Sequence, residues 1–426
     1  MDEIILSSPV PSGIDETQLE EGLVKSLAGK LEKLHKVLLL PPDITRSNSY
    51  AGKITAIYYK LLKDRCQIDI MPALGTHVPM TDDELDEMFG EDIPHTCYLV
   101  HNWRNDVVKI GEIPAEFIRE VSEGLMEEPV DVEVNHRLLD KSYDLIISIG
   151  QVVPHEVVGM ANYSKNIFVG CGGKNMINSS HMLGAFYGLE RIMGRDGSPV
   201  RKVFDYAQEN FISELPLMYV LTVTSQFNGT TALNGLFTGR SRSIFEKAVA
   251  LSTEKNLNFV EKPFKKVVVY LDAKEFKSTW LGNKAVYRTR LAIDDGGELL
   301  VLAPGVAKFG EDDGNDALIR KYGYVGRKRV LELCKTQEDL RKNLSAAAHL
   351  IHGSSDDRFS ITYAVEKLTQ KEVEGVNFGY MPLGEAYIRY NPEKLAEGWN
   401  TLADGEEIYF IGNPAVGLWA DRKRFM

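Results

Sequence analysis

Cysteine is scarce in this chain, four residues in 426, at Cys66, Cys97, Cys171 and Cys334, and no two of them form a Cys-x-x-Cys pair. That spacing excludes a zinc ribbon or a disulfide scaffold and fits a reducing compartment. Long apolar runs are missing too, since none reaches the roughly 20 residues needed to span a bilayer. The opening MDEIILSSPVPSG has no basic region followed by an apolar stretch and a small-residue cleavage site, so a cytoplasmic protein without membrane association is expected. There is no basic tract either. Lys and Arg number 49 against 61 Asp and Glu, a net charge of −12, which argues against nucleic acid or an anionic membrane as partner. Internal repeats, heptads and low-complexity tracts are absent. The first strand is followed by PPDITRS rather than Gly-x-Gly-x-x-Gly, which argues against an ordinary NAD-dependent dehydrogenase.

What is present is a series of short apolar strands, each running into a chemically loaded turn. Lys36-Val-Leu-Leu-Leu leads to Pro41, Ile68-Asp-Ile-Met-Pro-Ala-Leu to Gly75, and Asp144-Leu-Ile-Ile-Ser-Ile to Gly150. With helical patterns between them, these predict an α/β fold with a largely parallel, doubly wound sheet. Ligands in such sheets bind beyond the carboxyl ends of the strands. Here those ends carry Asp43-Ile-Thr-Arg46, Gly75-Thr-His77 and Gln151-Val-Val-Pro-His155. Thr81-Asp-Asp-Glu84 has capping-box spacing, which places His77 in a short loop before a helix. A second α/β block opens near Lys265 with Val267-Val-Val-Tyr-Leu, followed by Gly297-Glu-Leu-Leu-Val-Leu and the acidic loop Gly310-Glu-Asp-Asp-Gly314. The expected domains are 1–263 and 264–400, with 401–426 able to return to the first domain. The active site is expected in a cleft between the domains.

The densest chemistry lies in PHEVVGMANYSKNIFVGCGGKNMINSSHM, where His155, Lys165 and His181 bracket a glycine-rich, mostly uncharged segment. Two imidazoles and an amine so arranged suit a metal-bearing organic cofactor, covalently attached, with proton transfer beside it. Cys171, between two glycines, reads as a small packed residue rather than a ligand.

These segments together resemble the nickel-dependent lactate racemase family, whose members racemise or epimerise 2-hydroxy acids. PDITRSNS is similar to the family's Asp-His-Thr-Arg-Pro segment, and ALGTHVPMTDDELDEMFG to its Ala-Thr-Gly-x-His-Arg-Pro-Thr-x-x-Glu-Leu segment. VPHEVVGMANYSKNIF resembles the stretch carrying a catalytic histidine and then the cofactor-attaching lysine. The resemblance implies a nickel-pincer nucleotide, a pyridinium-3,5-bisthiocarboxylic acid mononucleotide holding nickel, supplied by its own synthesis enzymes. It implies Lys165 as the covalent attachment point, His181 as the protein's nickel ligand, and His77 and His155 as the two catalytic histidines. It further implies Arg46 and Lys284 as contacts to the substrate carboxylate. Asp43 would orient Arg46 or meet the nucleotide ribose.

Departures from the family pattern shape the expected substrate. The lactate enzymes carry Ser-Gly-Gly-Arg-Lys-Ser where this chain has Ala161-Asn-Tyr-Ser-Lys165-Asn. Before Lys284 they place a tyrosine and a glutamine where Trp280 and Leu281 stand here, and a pocket tryptophan is replaced by Phe359. The substrate expected is therefore a 2-hydroxy acid other than lactate, such as a sugar acid or an aryl or dicarboxylic hydroxy acid. Two other readings remain open. One is a zinc-type metal-dependent hydrolase or lyase using the same histidines; the other is a catalytically inactive, cofactor-binding member of the family.

Overall fold

The computed structural model describes residues 3–425, which fall into two compact units. One contains the residues up to Leu183 together with Ile192–Asn256; the other contains Gly184–Arg191 together with the residues from Leu257 onward.

In the first unit, β1 (Ile4–Ser7), β2 (Lys36–Leu40), β3 (Gln67–Ile70), β4 (Leu145–Gln151), β5 (Leu217–Phe227) and β6 (Thr230–Gly239) form one sheet in the order β1-β6-β5-β4-β2-β3. The run β5-β4-β2-β3 is parallel, whereas β6 and β1 extend the sheet antiparallel. Val37–Leu40 and Ile146, Ile147 and Ile149 are wholly buried, because central parallel strands are covered on both faces. One of these faces is packed by helices Glu16–Ser26, Ala51–Leu62 and Asp82–Phe89, whose Leu19, Leu23, Ile54, Tyr58 and Leu85 join the core. Strand β3 ends sooner than the apolar pattern suggested. Past Ile70 the chain keeps to its neighbour through the Met71 and Ala73 N–H groups, which donate to the Leu39 and Pro41 carbonyls, and through an isolated bridge from Ala73 to Pro42.

The second unit has its own six-stranded sheet, built from β7 (Phe264–Tyr270), β8 (Ile293–Leu302), β9 (Ser360–Val365), β10 (Gly379–Pro382), β11 (Gly398–Thr401) and β12 (Glu407–Ile411) in the order β10-β9-β8-β7-β12-β11. All neighbours are parallel except β11 and β12. The acidic loop before Asp313–Tyr322 ends in the N-cap Asp312, which accepts from Asn315. Residues 401–425 fall within this second unit. β12 lies beside β7, and Leu418–Asp421 pairs with Leu257–Val260, because the apolar Ile408, Phe410 and Ile411 complete this second core. Among the described residues no helix is long and apolar enough to cross a membrane.

Candidate active site

Three adjacent parallel strands, β3, β2 and β4, bring their carboxyl ends together, and the turns beyond them hold the residues singled out from the sequence. After β2, Asp43 caps a short 3-10 segment, Ile44–Ser49, by accepting the Thr45 N–H at 3.1 Å. Arg46 breaks that segment with φ −118° and ψ 30° and is exposed. Among the described residues no side chain hydrogen-bonds or ion-pairs with its guanidinium.

Asp43 was expected to orient Arg46 or meet a ribose. Its carboxylate holds His77 rather than the Arg46 side chain: Oδ1 faces the Thr45 backbone and hydroxyl, and Oδ2 accepts from His77 Nδ1 at 2.5 Å. With Arg46 it shares a backbone hydrogen bond, the Arg46 N–H donating to the Asp43 carbonyl at 3.0 Å. Burial by itself would raise the Asp43 carboxyl, but the His77 and Thr45 donors outweigh it and hold the group below its ordinary value. An ionised carboxylate only accepts, so His77 carries its proton on Nδ1 and leaves the Nε2 lone pair open. The His77 side chain is 55% exposed, so Nε2 is reachable from solvent. Thr81 and Glu84 form the expected capping box on helix Asp82–Phe89, which leaves His77 free of a capping role.

His155 follows β4 in a two-residue ladder with Gly159 and is buried. Its Nδ1 accepts the Val157 backbone N–H at 3.1 Å. The neutral ring must then carry its proton on Nε2, the opposite tautomer to His77. Burial, and then the nearby charges of Lys165, Arg46 and His181, push its pKa well below the ordinary value against the pull of Glu156, whose carboxylate lies 3.8 Å from Nδ1.

Lys165 opens a π-helical turn, Asn166–Gly170, a geometry frequent at functional sites. Asn166 locks the turn to the sheet by donating to the Leu40 carbonyl at 3.1 Å and to Ser148 at 2.9 Å. The turn also packs on the His77 loop: Gly75 N–H donates to the Gly170 carbonyl at 2.8 Å, and a Cβ on Gly170 would lie 2.8 Å from that of Ala73. Burial, then the Arg46 charge, with Glu156 opposing and Arg201 adding to the push, brings the Lys165 amine down to about 8. Among the described residues, nothing hydrogen-bonds or ion-pairs with that amine.

His181 lies on helix Lys174–Tyr187 and donates Nδ1–H to the Ile177 carbonyl one turn earlier, at 2.6 Å. Burial lowers its pKa, so the ring is neutral with an open Nε2. A backbone carbonyl holding the distal N–H is the usual support of a metal-binding imidazole. Cys171 is fully buried and its thiol is pushed up to about 12, as suits a packing residue rather than a thiolate ligand. Among the described residues, no three His, Cys, Asp or Glu side chains gather as a metal-ligand set. A protein-ligated zinc centre would need such a set, whereas a cofactor that brings its own soft donors needs only one imidazole.

Asp43, Arg46, His77, His155, Lys165 and His181 thus form one electrostatic constellation in the first unit. Trp280, Lys284 and Phe359 belong to the second. There Trp280 stacks on His349 at 4.2 Å, Lys284 Nζ lies 3.9 Å from Glu275, and Phe359 is buried next to Arg358. The second unit's 590 Å³ cavity beside Tyr387, Lys394 and Asn400 contains none of these residues. Sequence reasoning missed Glu156, Thr45 and the Ile177 carbonyl. Only Glu156, adjacent to His155, left a signal to find.

Known proteins can be set beside this geometry. Residues 16–191 match the family model described as the lactate racemase N-terminal domain. A crystal structure of a Thermotoga maritima protein is similar with a TM-score of 0.81 and 22% identity, covering 97% of this chain and 99% of that one. The lactate racemase apoprotein from Thermoanaerobacterium thermosaccharolyticum is similar with a TM-score of 0.70 and 17% identity, covering 97% of each. No curated protein matches the sequence. At these identities the two structures establish the fold. Residues 16–191 are thus similar to the lactate racemase N-terminal domain, and the chain shares its fold with the two crystal structures.

Proposed function

We propose that this protein racemises or epimerises a 2-hydroxy acid other than lactate, with a nickel-pincer nucleotide tethered to Lys165. The carrying observation is the Lys165 amine, lowered to about 8 and without a side-chain partner among the described residues, in the same electrostatic cluster as the open Nε2 of His181. An amine of that pKa is unprotonated in about a tenth of molecules at pH 7, against well under a thousandth for an ordinary lysine, and is to that extent a better nucleophile for an amide-like link. These residues fit the cofactor: Lys165 would anchor it, and His181 would complete the coordination of its nickel. When bound, the group supplies a reversible hydride acceptor.

The chain's own residues do the rest. Arg46 offers an unoccupied guanidinium to the substrate carboxylate, a strong and directional pairing. His77 takes the 2-hydroxyl proton at Nε2, and Asp43 stabilises the imidazolium that forms. His155 meets the oxygen of the opposite configuration with Nε2–H; to act as a base there it must switch tautomer and release the Val157 N–H. Inversion needs two such groups, and the two strand-end turns supply them. Lys284 as a second carboxylate contact, and Trp280 and Phe359 as walls for the rest of the substrate, follow from the resemblance. Their differences from the lactate enzymes' residues are what favour a substrate other than lactate. The synthesis enzymes for the nucleotide are the implied partners.

Racemisation in deuterated water tests the chemistry. The account expects the product to keep the substrate's α-hydrogen, with under about 5% solvent deuterium at low conversion, because hydride moves without exchanging. Full deuterium incorporation would mean proton abstraction at carbon and would reject the proposal.

A further inference from the structure

Immediately before Lys165, two consecutive non-glycine residues hold left-handed backbone, Asn162 with φ 64° and Tyr163 with φ 58°. L side chains avoid this conformation, and it persists only where the surroundings impose it. The family's glycines at these positions would adopt it freely. The strained pair is also tightly confined, since a Cβ on Gly150 would lie 2.1 Å from Asn162 Nδ2.

The imposing group is Arg201, fully buried on helix Pro199–Phe211. Nη2 donates to the Met160 carbonyl at 2.7 Å and to the Asn162 carbonyl at 3.1 Å, and Nη1 donates to Ser164 Oγ at 2.7 Å. These acceptors bracket the left-handed pair on both sides. The helix start is tied to the same segment, because Ser198 accepts the Arg201 N–H and donates to the Val158 carbonyl. Phe245 lies under the guanidinium at 4.4 Å and stacks on Tyr163 at 5.0 Å. Tyr163 is pinned from the far side, where its hydroxyl donates to the Arg240 carbonyl and accepts from Gln208. Among the described residues no carboxylate ion-pairs with Arg201; Asp205 is reached through Ser164 Oγ at 3.1 Å. A buried cation without a direct counter-ion is costly where an apolar side chain would pack, so its fork of donors must serve the loop.

We propose that Arg201 is the positioning residue of the cofactor-attachment loop, clamping Asn162–Tyr163 in the left-handed conformation and so fixing where the Lys165 amine stands. The attachment half of this statement rests on the assignment of Lys165 above.

Two readouts test it: hydrogen–deuterium exchange of amides 160–166 in the unloaded protein, and intact-mass loading of Lys165 in protein made alongside the cofactor-synthesis enzymes. Arg201→Lys keeps the charge but loses the fork, and is expected to speed exchange in 160–166 about tenfold and to cut loading at least about fivefold. Adding Asn162→Gly, which removes the conformational penalty, should recover most of both effects, a coupling that a merely structural arginine would not show. Ser164→Ala removes one contact and should give the same pattern at smaller amplitude, even if Arg201→Lys folds poorly. Unchanged exchange in both variants, or faster exchange spread equally through 199–211 with no recovery by Asn162→Gly, would overturn the clamp. Wild-type protein that takes up no cofactor while exchange follows the expected pattern would uphold the clamp and reject Lys165 as the anchor.

Discussion

Asp43 decides which nitrogen of His77 keeps an open lone pair, and the Val157 N–H makes the opposite choice for His155; the proposed chemistry uses the open one. Asp43→Asn should therefore lower kcat/KM by about 10²-fold, a loss steady-state kinetics with either enantiomer would detect. The same pair leaves a mark on stability. Because the Asp43 carboxyl lies below its ordinary value of 3.8, its contribution is fully present above that pH and lost as the pH falls through the folded-state value. Melting temperature followed below pH 4 should drop less steeply in Asp43→Asn than in wild type. Lys165 works the other way. With the amine at about 8 in the folded protein against 10.5 when free, the unfolded chain binds more protons between those values, and stability rises with pH across that window. Lys165→Met should stabilise the unloaded protein at pH 7 by on the order of 1–3 kcal/mol and abolish the rise, as thermal melts at pH 7 and pH 10 would show. At this scale the sequence was informative about residue types. The gathering of His77, His155, Lys165 and His181 in one unit was foreshadowed by their types, two imidazoles beyond strand ends and an amine and a third imidazole in an otherwise apolar segment. The role of Asp43 was not, because which neighbour a carboxylate meets depends on how two loops fold against each other.

At the scale of elements, the site depends on three parallel strand ends and one π-helical turn. Leu38 opposite Asp69 and Leu39 opposite Ile147 set the registers that place Asp43, His77 and His155 on neighbouring turns. The turn after Lys165 closes only because glycine stands at its end; a Cβ on Gly172 would fall 1.9 Å from the Phe168 carbonyl oxygen. Gly172→Ala should cost on the order of 2–4 kcal/mol, measured by denaturant unfolding, with loss of Lys165 loading, whereas Gly197→Ala, which meets nothing within 4 Å, should change neither. The helix bearing His181 is held at its start by Glu133, which accepts from the Asn175 backbone and side chain. The strands leading to the site were readable from apolar runs ending in Pro or Gly. The π-helical turn was not, because its cause is long-range: Asn166 bonds to β2 and β4. The glycine-to-bulky exchange at Asn162 and Tyr163 was visible as a departure, but only the structure reveals that left-handed backbone survives it.

For the whole molecule, the parallel α/β architecture followed from strand and helix periodicity, whereas the antiparallel β5–β6 hairpin and the membership of 401–425 in the second unit did not. A closing strand such as β12 carries no local sign of which sheet it will join; that choice is made by packing against Val267–Val269. The central claim is that this scaffold presents Lys165 to a nickel-bearing nucleotide. Intact-mass and metal analysis of protein made with the cofactor-synthesis enzymes tests it most directly. The account predicts one adduct localised to Lys165 with about one nickel per chain; an unmodified Lys165 in fully active protein would contradict it.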